Sequence, residues 1–149
     1  VEGLTRLVES SRDSGVTLVY ENHAKPFVWQ YTDFSTPGDV FLEIARQTAS
    51  VGLAINFDTA NAAAFTDDAV SLLEPVIGRV ASVHAADTAV RGALKMVLLG
   101  TGIAPIPAVL RRLKQYGFDS WICMEEGSGL GEQGVRDAAA FVRRTWAEA

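Results

Sequence analysis

Gly15-Val-Thr-Leu-Val-Tyr-Glu-Asn-His23 decides how this 149-residue chain is read. A short β-branched and apolar run, Val16–Tyr20, ends in a carboxylate, an amide and an imidazole. Three later runs repeat the pattern: Leu53-Ala-Ile-Asn-Phe-Asp58, Val80-Ala-Ser-Val-His84 and Trp121-Ile-Cys-Met-Glu-Glu126. Each is too short for a buried helix and has the composition of a buried strand. Each follows a helix-like segment and closes on a residue able to bind a metal or move a proton. In a parallel sheet wrapped by helices, the C-terminal strand ends gather on one rim, where ligands bind. The four ends thus propose one site from Glu21, Asp58, His84 and Glu125.

Length suggests one domain at most. With 48% hydrophobic and 21% charged residues, the chain can bury a core. A net charge of −5 argues against a nucleic-acid partner. The single cysteine, Cys123, has no internal disulfide partner, fits a reducing compartment and is expected to be buried within its strand. No apolar run approaches the roughly 20 residues of a membrane helix, and no signal peptide is evident, so the expectation is a cytoplasmic protein without a membrane partner.

The pattern is α/β: parallel β/α repeats with four strands and about five helices. A closed (β/α)8 barrel takes eight such units in roughly 250 residues. The chain opens on Val1 and is read as the second half of such a barrel, strands five to eight, over residues 1–149. A half-barrel that dimerises and a small open sheet are the alternatives. Apolar surface is expected along the first and last strands.

In chain order, residues 2–14 form a helix closing near Gly15, and Val16–Tyr20 is the first strand. A long loop from Asn22 to Thr36 carries Phe27, Trp29, Tyr31 and Phe34. Thr36-Pro37-Gly38-Asp39 is a helix start with Thr36 as cap, and Phe41, Ile44, Ala45 and Ala49 form the buried face. Leu53–Phe57 is the second strand, and Asp58-Thr-Ala-Asn61 a turn above it. Thr66-Asp67-Asp68 caps the next helix, with Leu72, Leu73, Val76 and Ile77 inward and Pro75 ending or kinking it. After the strand Val80–Val83 comes the loop with Leu99-Gly-Thr-Gly102. A helix from Pro105 to Tyr116 buries Val109, Leu110 and Leu113 before Gly117. The strand Trp121–Met124 and the glycine-rich Gly127–Gly131 lead to a last helix, with Val135, Ala138, Ala139, Val142 and Trp146 on its apolar side.

Three carboxylates and an imidazole on one rim repel unless protons or a cation intervene. Oxygen-rich ligation with one imidazole suits Mn²⁺ best, with Mg²⁺, Co²⁺ or Zn²⁺ as alternatives. Cys123 is expected to point away from the site. Such a cation chelates a carbonyl and its adjacent hydroxyl and acidifies the intervening C–H, so that Glu21 and Glu125 could exchange the proton. The chemistry is that of a sugar isomerase or epimerase working through an enediolate. Strand alternation sends only one of Glu125 and Glu126 into the mouth, and Glu125 is preferred. His23, Lys25, Asn61, Asp87 and Arg91 are the candidate substrate contacts. The glycine loops after the last two strands hold no Lys or Arg and are read as tight turns rather than a phosphate site.

Val-Tyr-Glu-Asn-His, Asn-Phe-Asp-Thr-Ala-Asn, Ser-Val-His-Ala-Ala-Asp, Leu-Gly-Thr-Gly and Trp-Ile-Cys-Met-Glu-Glu, in this order, resemble the xylose isomerase-like TIM-barrel superfamily. It includes sugar phosphate isomerases and epimerases, ketose 3-epimerases and inosose dehydratases. The resemblance spans nearly the whole chain but only strands five to eight of that fold. It implies a metal at Glu21, Asp58, His84 and Glu125, with the two glutamates exchanging the substrate proton. Two positions depart from the pattern: Asn61 stands where a histidine is frequent, and Leu-Gly-Thr-Gly replaces the usual Leu-Gly-Glu-Gly. The rival readings are an inosose-type dehydratase, an abasic-DNA endonuclease (disfavoured by two histidines and an acidic balance) and a non-catalytic sugar-binding barrel. The expected partners are a sugar or polyol and either a second copy of the chain or a preceding half-barrel.

Overall fold

A computed structural model describes residues 1–24 and 33–149. Its four strands are β1 (Val19–Glu21), β2 (Ala54–Asp58), β3 (Val80–Ala85) and β4 (Trp121–Met124). They form one sheet in the order β1-β2-β3-β4, and every neighbouring pair is parallel. Strand β4 has the expected bounds. Strand β1 starts three residues later than expected, because only its last residues run beside β2; Leu18 still accepts the Ala54 N–H. Strand β3 extends two residues further than expected, so His84 lies inside it.

Among the described residues there are six α-helices: α1 (Glu2–Ser11), α2 (Gly38–Gln47), α3 (Thr59–Phe65), α4 (Ala69–Leu73), α5 (Ile106–Tyr116) and α6 (Gly131–Glu148). Short 3₁₀ turns occupy Ala49–Val51 and Glu74–Arg79. The helix beyond the expected five is α3, where a turn was expected. Asp58 accepts the Asn61 N–H as its cap, and the alanines at 62–64 favour the helical state. Helix α1 stops at Ser11, short of the expected residue 14, and Gly15 takes the left-handed φ of 72° in the turn that follows. Pro37, not Thr36, sits at the N-cap of α2; the extended backbone there leaves Thr36 one residue outside, and its hydroxyl caps nothing. Ala49 is exposed because α2 has given way to the 3₁₀ turn. Thr48 takes the buried place and donates its hydroxyl to the Ile44 carbonyl at 2.8 Å. Asp68 caps α4 as expected, and Gly117 ends α5 at φ 94°. On α6 the buried stripe runs through Gly134, Ala138, Val142 and Thr145, which leaves Val135 exposed. No described helix is long and apolar enough to cross a membrane.

Alternation gives the sheet two unlike faces. Ile55, Phe57, Val83 and Ala85 turn toward the helices and are fully buried with Phe41, Leu73, Ile106, Leu110 and Leu113. Each large side chain buried there contributes about 1.5–3 kcal/mol of transfer free energy. Tyr20 stacks on Phe41 with ring centroids 5.3 Å apart. The other face carries Val19, Glu21, Asn56, Asp58, Ser82, His84, Trp121 and Cys123, as the pairing register requires. Along the edge strands this face is open: Trp121 is 76% exposed and Val19 45%.

Cys123 is exposed, contrary to the expected burial. Its strand is an edge, and it sits opposite His84 on the open face rather than pointing away from the site. One irregularity governs the placement of His84. Between β2 and β3 the register jumps from Ile55 opposite Val80 to Asn56 opposite Ser82, leaving Ala81 unmatched. The Ser120 hydroxyl donates to the Ala81 carbonyl at 2.6 Å. Without that extra residue Asp58 would face Val83; with it, Asp58 faces His84.

Candidate metal centre

Each strand delivers one side chain to the rim of the open face. Glu21 closes β1, Asp58 closes β2 and caps α3, His84 is next to last in β3, and Glu125 follows β4 directly. Donor atoms of Glu21, Asp58 and His84 all lie within 4.8 Å of one another. His84 Nδ1 is the hub, 3.0 Å from Glu125 Oε1, 3.5 Å from Glu21 Oε2 and 4.0 Å from Asp58 Oδ2. That nitrogen is buried and has no hydrogen-bond partner among the described residues. A buried ring nitrogen ringed by carboxylate oxygens is a donor set for a divalent cation, and these residues fit one.

Burial grades the three carboxylates. The Asp58 side chain is 2% exposed, Glu21 23% and Glu125 50%. Burial pushes Asp58 from the ordinary 3.8 up to about 8, against the pull of the Asn61 N–H, while the charges of Glu21 and Glu125 push the same way as burial and the Ala60 N–H opposes them. A cation would relieve that penalty by compensating the charge.

Among the candidate substrate contacts, His23 and Asn61 reach the site. They line a cavity of about 330 Å³ together with Glu21, Glu125, Leu94 and Met96. Asn61 donates to Glu21 Oε1 at 3.4 Å, and His23 Nδ1 stands 3.7 Å from Asp33. Lys25, with Phe27, Trp29 and Tyr31, lies outside the described residues. Asp87, the next candidate, is turned to the loop that follows β3. It is buried, and its two oxygens accept the N–H groups of Thr88, Gly100, Gly102 and Ala104 at 2.9–3.0 Å, shaping the Leu99–Gly102 loop. Arg91 is likewise engaged elsewhere, donating to the carbonyls of Thr66 and Asp67. Of the two glutamates, Glu125 meets His84, whereas Glu126 accepts the Ser128 N–H at 2.8 Å ahead of α6.

Sequence reasoning missed Asn56 and the apolar pair Leu94 and Met96. Asn56 is buried on the open face and donates to Glu21 Oε2 at 2.8 Å; the Ser82 hydroxyl fixes its orientation by donating to Asn56 Oδ1 at 2.7 Å. Its place two residues before Asp58, on the same face of β2, was the available signal. Leu94 and Met96 come from the loop after β3, where an isolated antiparallel bridge pairs Met96 with Thr88. No sequence signal marks them.

The sequence matches the family described as "Xylose isomerase-like TIM barrel" over residues 1–145. No curated protein matches it. Among solved structures, a D-tagatose 3-epimerase-like protein superposes with a TM-score of 0.78 at 21% identity, covering 97% of this chain and 52% of its own. The 3-keto-D-glucoside 4-epimerase YcjR from E. coli gives 0.71 at 19% identity, covering 96% and 51%. The IOLI protein with a bound zinc atom gives 0.54 at 16% identity, covering 99% and 69%. At these identities the likeness establishes the fold: four parallel strands with six helices, matching about half of such a barrel. The chain spans about half the length of the first two of these structures.

Proposed function

The chain belongs to the xylose isomerase-like TIM-barrel family, and from that premise we propose that its rim cluster serves a metal-dependent isomerase or epimerase of a sugar or sugar phosphate. The observation that carries this reading is His84 Nδ1, buried without a hydrogen-bond partner among the described residues and ringed by Glu21, Asp58 and Glu125. Those four residues would hold the cation; Mn²⁺ suits the oxygen-rich set best, and Mg²⁺, Co²⁺ and Zn²⁺ are the alternatives. Epimerases and a zinc-holding protein among the structural relatives support the assignment. The described strands would be the fifth to eighth of the complete barrel.

The cation, when bound, supplies the positive charge that polarises a carbonyl and its neighbouring hydroxyl. The chain's own groups do the rest. Glu21 is oriented by the Asn56 and Asn61 amides, and Glu125 faces the same cavity. One carboxylate takes the proton from the carbon beside the carbonyl, giving an enediolate, and the other returns one. Leu94 and Met96 form the apolar wall of the cavity, while His23 and Asn61 offer hydrogen bonds to sugar hydroxyls.

Two measurements test this. Calorimetric titration with Mn²⁺ is expected to give one cation per chain, and Asp58→Ala to abolish uptake; a wild-type chain that takes up no divalent cation refutes the reading. Incubation with a panel of ketoses in deuterated buffer is expected to label the carbon next to the carbonyl, with a loss of about 10²–10⁴-fold in Glu125→Gln. Sugar binding without any label points to the non-catalytic barrel instead.

A further inference from the structure

Along β1 and β2 the metal-site residues face the open side, so the residue after each faces the other way, toward the neighbouring strand's end. Those following residues are Asn22 and Thr59. The β1–β2 pairing ends at Glu21 opposite Asn56. Beyond it, the buried Asn22 side chain donates Nδ2–H to the Asp58 carbonyl and accepts the Asp58 N–H at Oδ1, both at 2.8 Å. Its carboxamide thus takes the place of one more peptide of β1. The β2–β3 pairing ends at Asp58 opposite His84. There the fully buried Thr59 hydroxyl donates to the Ala86 carbonyl at 2.6 Å and accepts the Ala86 N–H at 3.0 Å. Between β3 and β4 the main chain needs no such substitute, since the Glu125 N–H reaches the Ala85 carbonyl at 3.0 Å.

We propose that Asn22 and Thr59 are positioning residues of the metal centre, each continuing with a side chain a ladder that the backbone has left, and so fixing the spacing of Glu21, Asp58 and His84. The inference rests on the metal reading of the cluster. Removing either side chain strands a buried N–H and C=O on the strand end that bears a ligand, and such ends open locally without global unfolding. Partners that orient a ligand without touching the metal typically change affinity by about 10–100-fold.

The test compares Asn22→Leu, Thr59→Val and Thr59→Ser with Thr48→Val, which removes another fully buried hydroxyl, one bonded to the Ile44 carbonyl within α2. Amide hydrogen exchange is read on the metal-free chain and Mn²⁺ affinity by calorimetry. Exchange at Asp58 is expected to quicken in Asn22→Leu and at Ala86 in Thr59→Val, each with Mn²⁺ affinity weaker by about tenfold or more. Thr59→Ser should restore both, and Thr48→Val should lower the melting temperature while keeping wild-type affinity. Should Asn22→Leu not fold, the Thr59 pair decides alone. Unchanged affinity in Thr59→Val, even with faster exchange, overturns the proposal and leaves only a structural staple. A wild-type chain without uptake overturns the metal reading instead, and the exchange at Asp58 and Ala86 then still decides whether the two side chains hold the strand ends.

Discussion

Asp58 holds its proton to about pH 8 in the folded chain, whereas the unfolded chain releases it near 3.8. Between those values the native state binds more protons than the unfolded one, so this group's contribution to stability falls as pH rises and is lost above about 8. The melting temperature of the metal-free chain, followed from pH 5 to 9, should drop less steeply in Asp58→Asn than in wild type. Cation uptake must displace the same proton, so Mn²⁺ affinity should climb over this range and level off above it. The two adjacent glutamates differ as sharply. Glu125→Gln should weaken Mn²⁺ binding markedly, while Glu126→Gln, altering only an acceptor for the Ser128 N–H, should stay within about 0.5 kcal/mol of wild type in stability and leave affinity unchanged. Glu21, Asp58 and His84 were legible as candidates because metal-binding residue types recur at strand ends. Asn22 was not assigned a role, since an amide just past a strand end declares its partner only once the neighbouring strand is in place.

At the scale of elements, the loop after β3 is drawn around Asp87. A Cβ at Gly102 would collide with the Asp87 carboxylate and the Thr88 carbonyl, so Gly102→Ala should displace Leu99–Gly102 and lower stability by about 1–3 kcal/mol, measured by denaturant titration. Thr101, where the resemblance led to an expected glutamate, is exposed and donates to the Leu98 carbonyl. Thr101→Ala should therefore cost little. Element types were readable from periodicity: β4 and the α5 boundary at Gly117 came out with the expected limits. The start of β1 did not, because the apolar run opens at Val16, ahead of the point where β2 begins to pair with it. Helix α3 was hidden by its length, seven residues directly after a strand. The offset at Ala81 was hidden because it belongs to a pair of strands and not to either sequence alone.

For the molecule as a whole, the open face of the sheet is the consequence of having four strands. Val19, Trp121 and Cys123 look outward from it, so the chain should bind a hydrophobic-surface dye, and Trp121→Ser should reduce that signal without lowering the melting temperature. A chain that leaves the dye dark would mean that another surface already covers this face. The exposure of Cys123 could not be read from its apolar neighbours, because it follows from β4 being an edge strand whose outer face no described element covers. All four strands share one direction, so the two margins of the sheet are chemically unlike: β1 and β4 each present a different row of peptide groups. A margin of this kind extends in parallel only by meeting its opposite, tail to head. Growth by that rule has two outcomes, a ring that seals itself when the curvature comes round at eight strands, or a filament when it does not. Were copies to join in this way, the tilt of the strands and not the strength of any one contact would decide between the two.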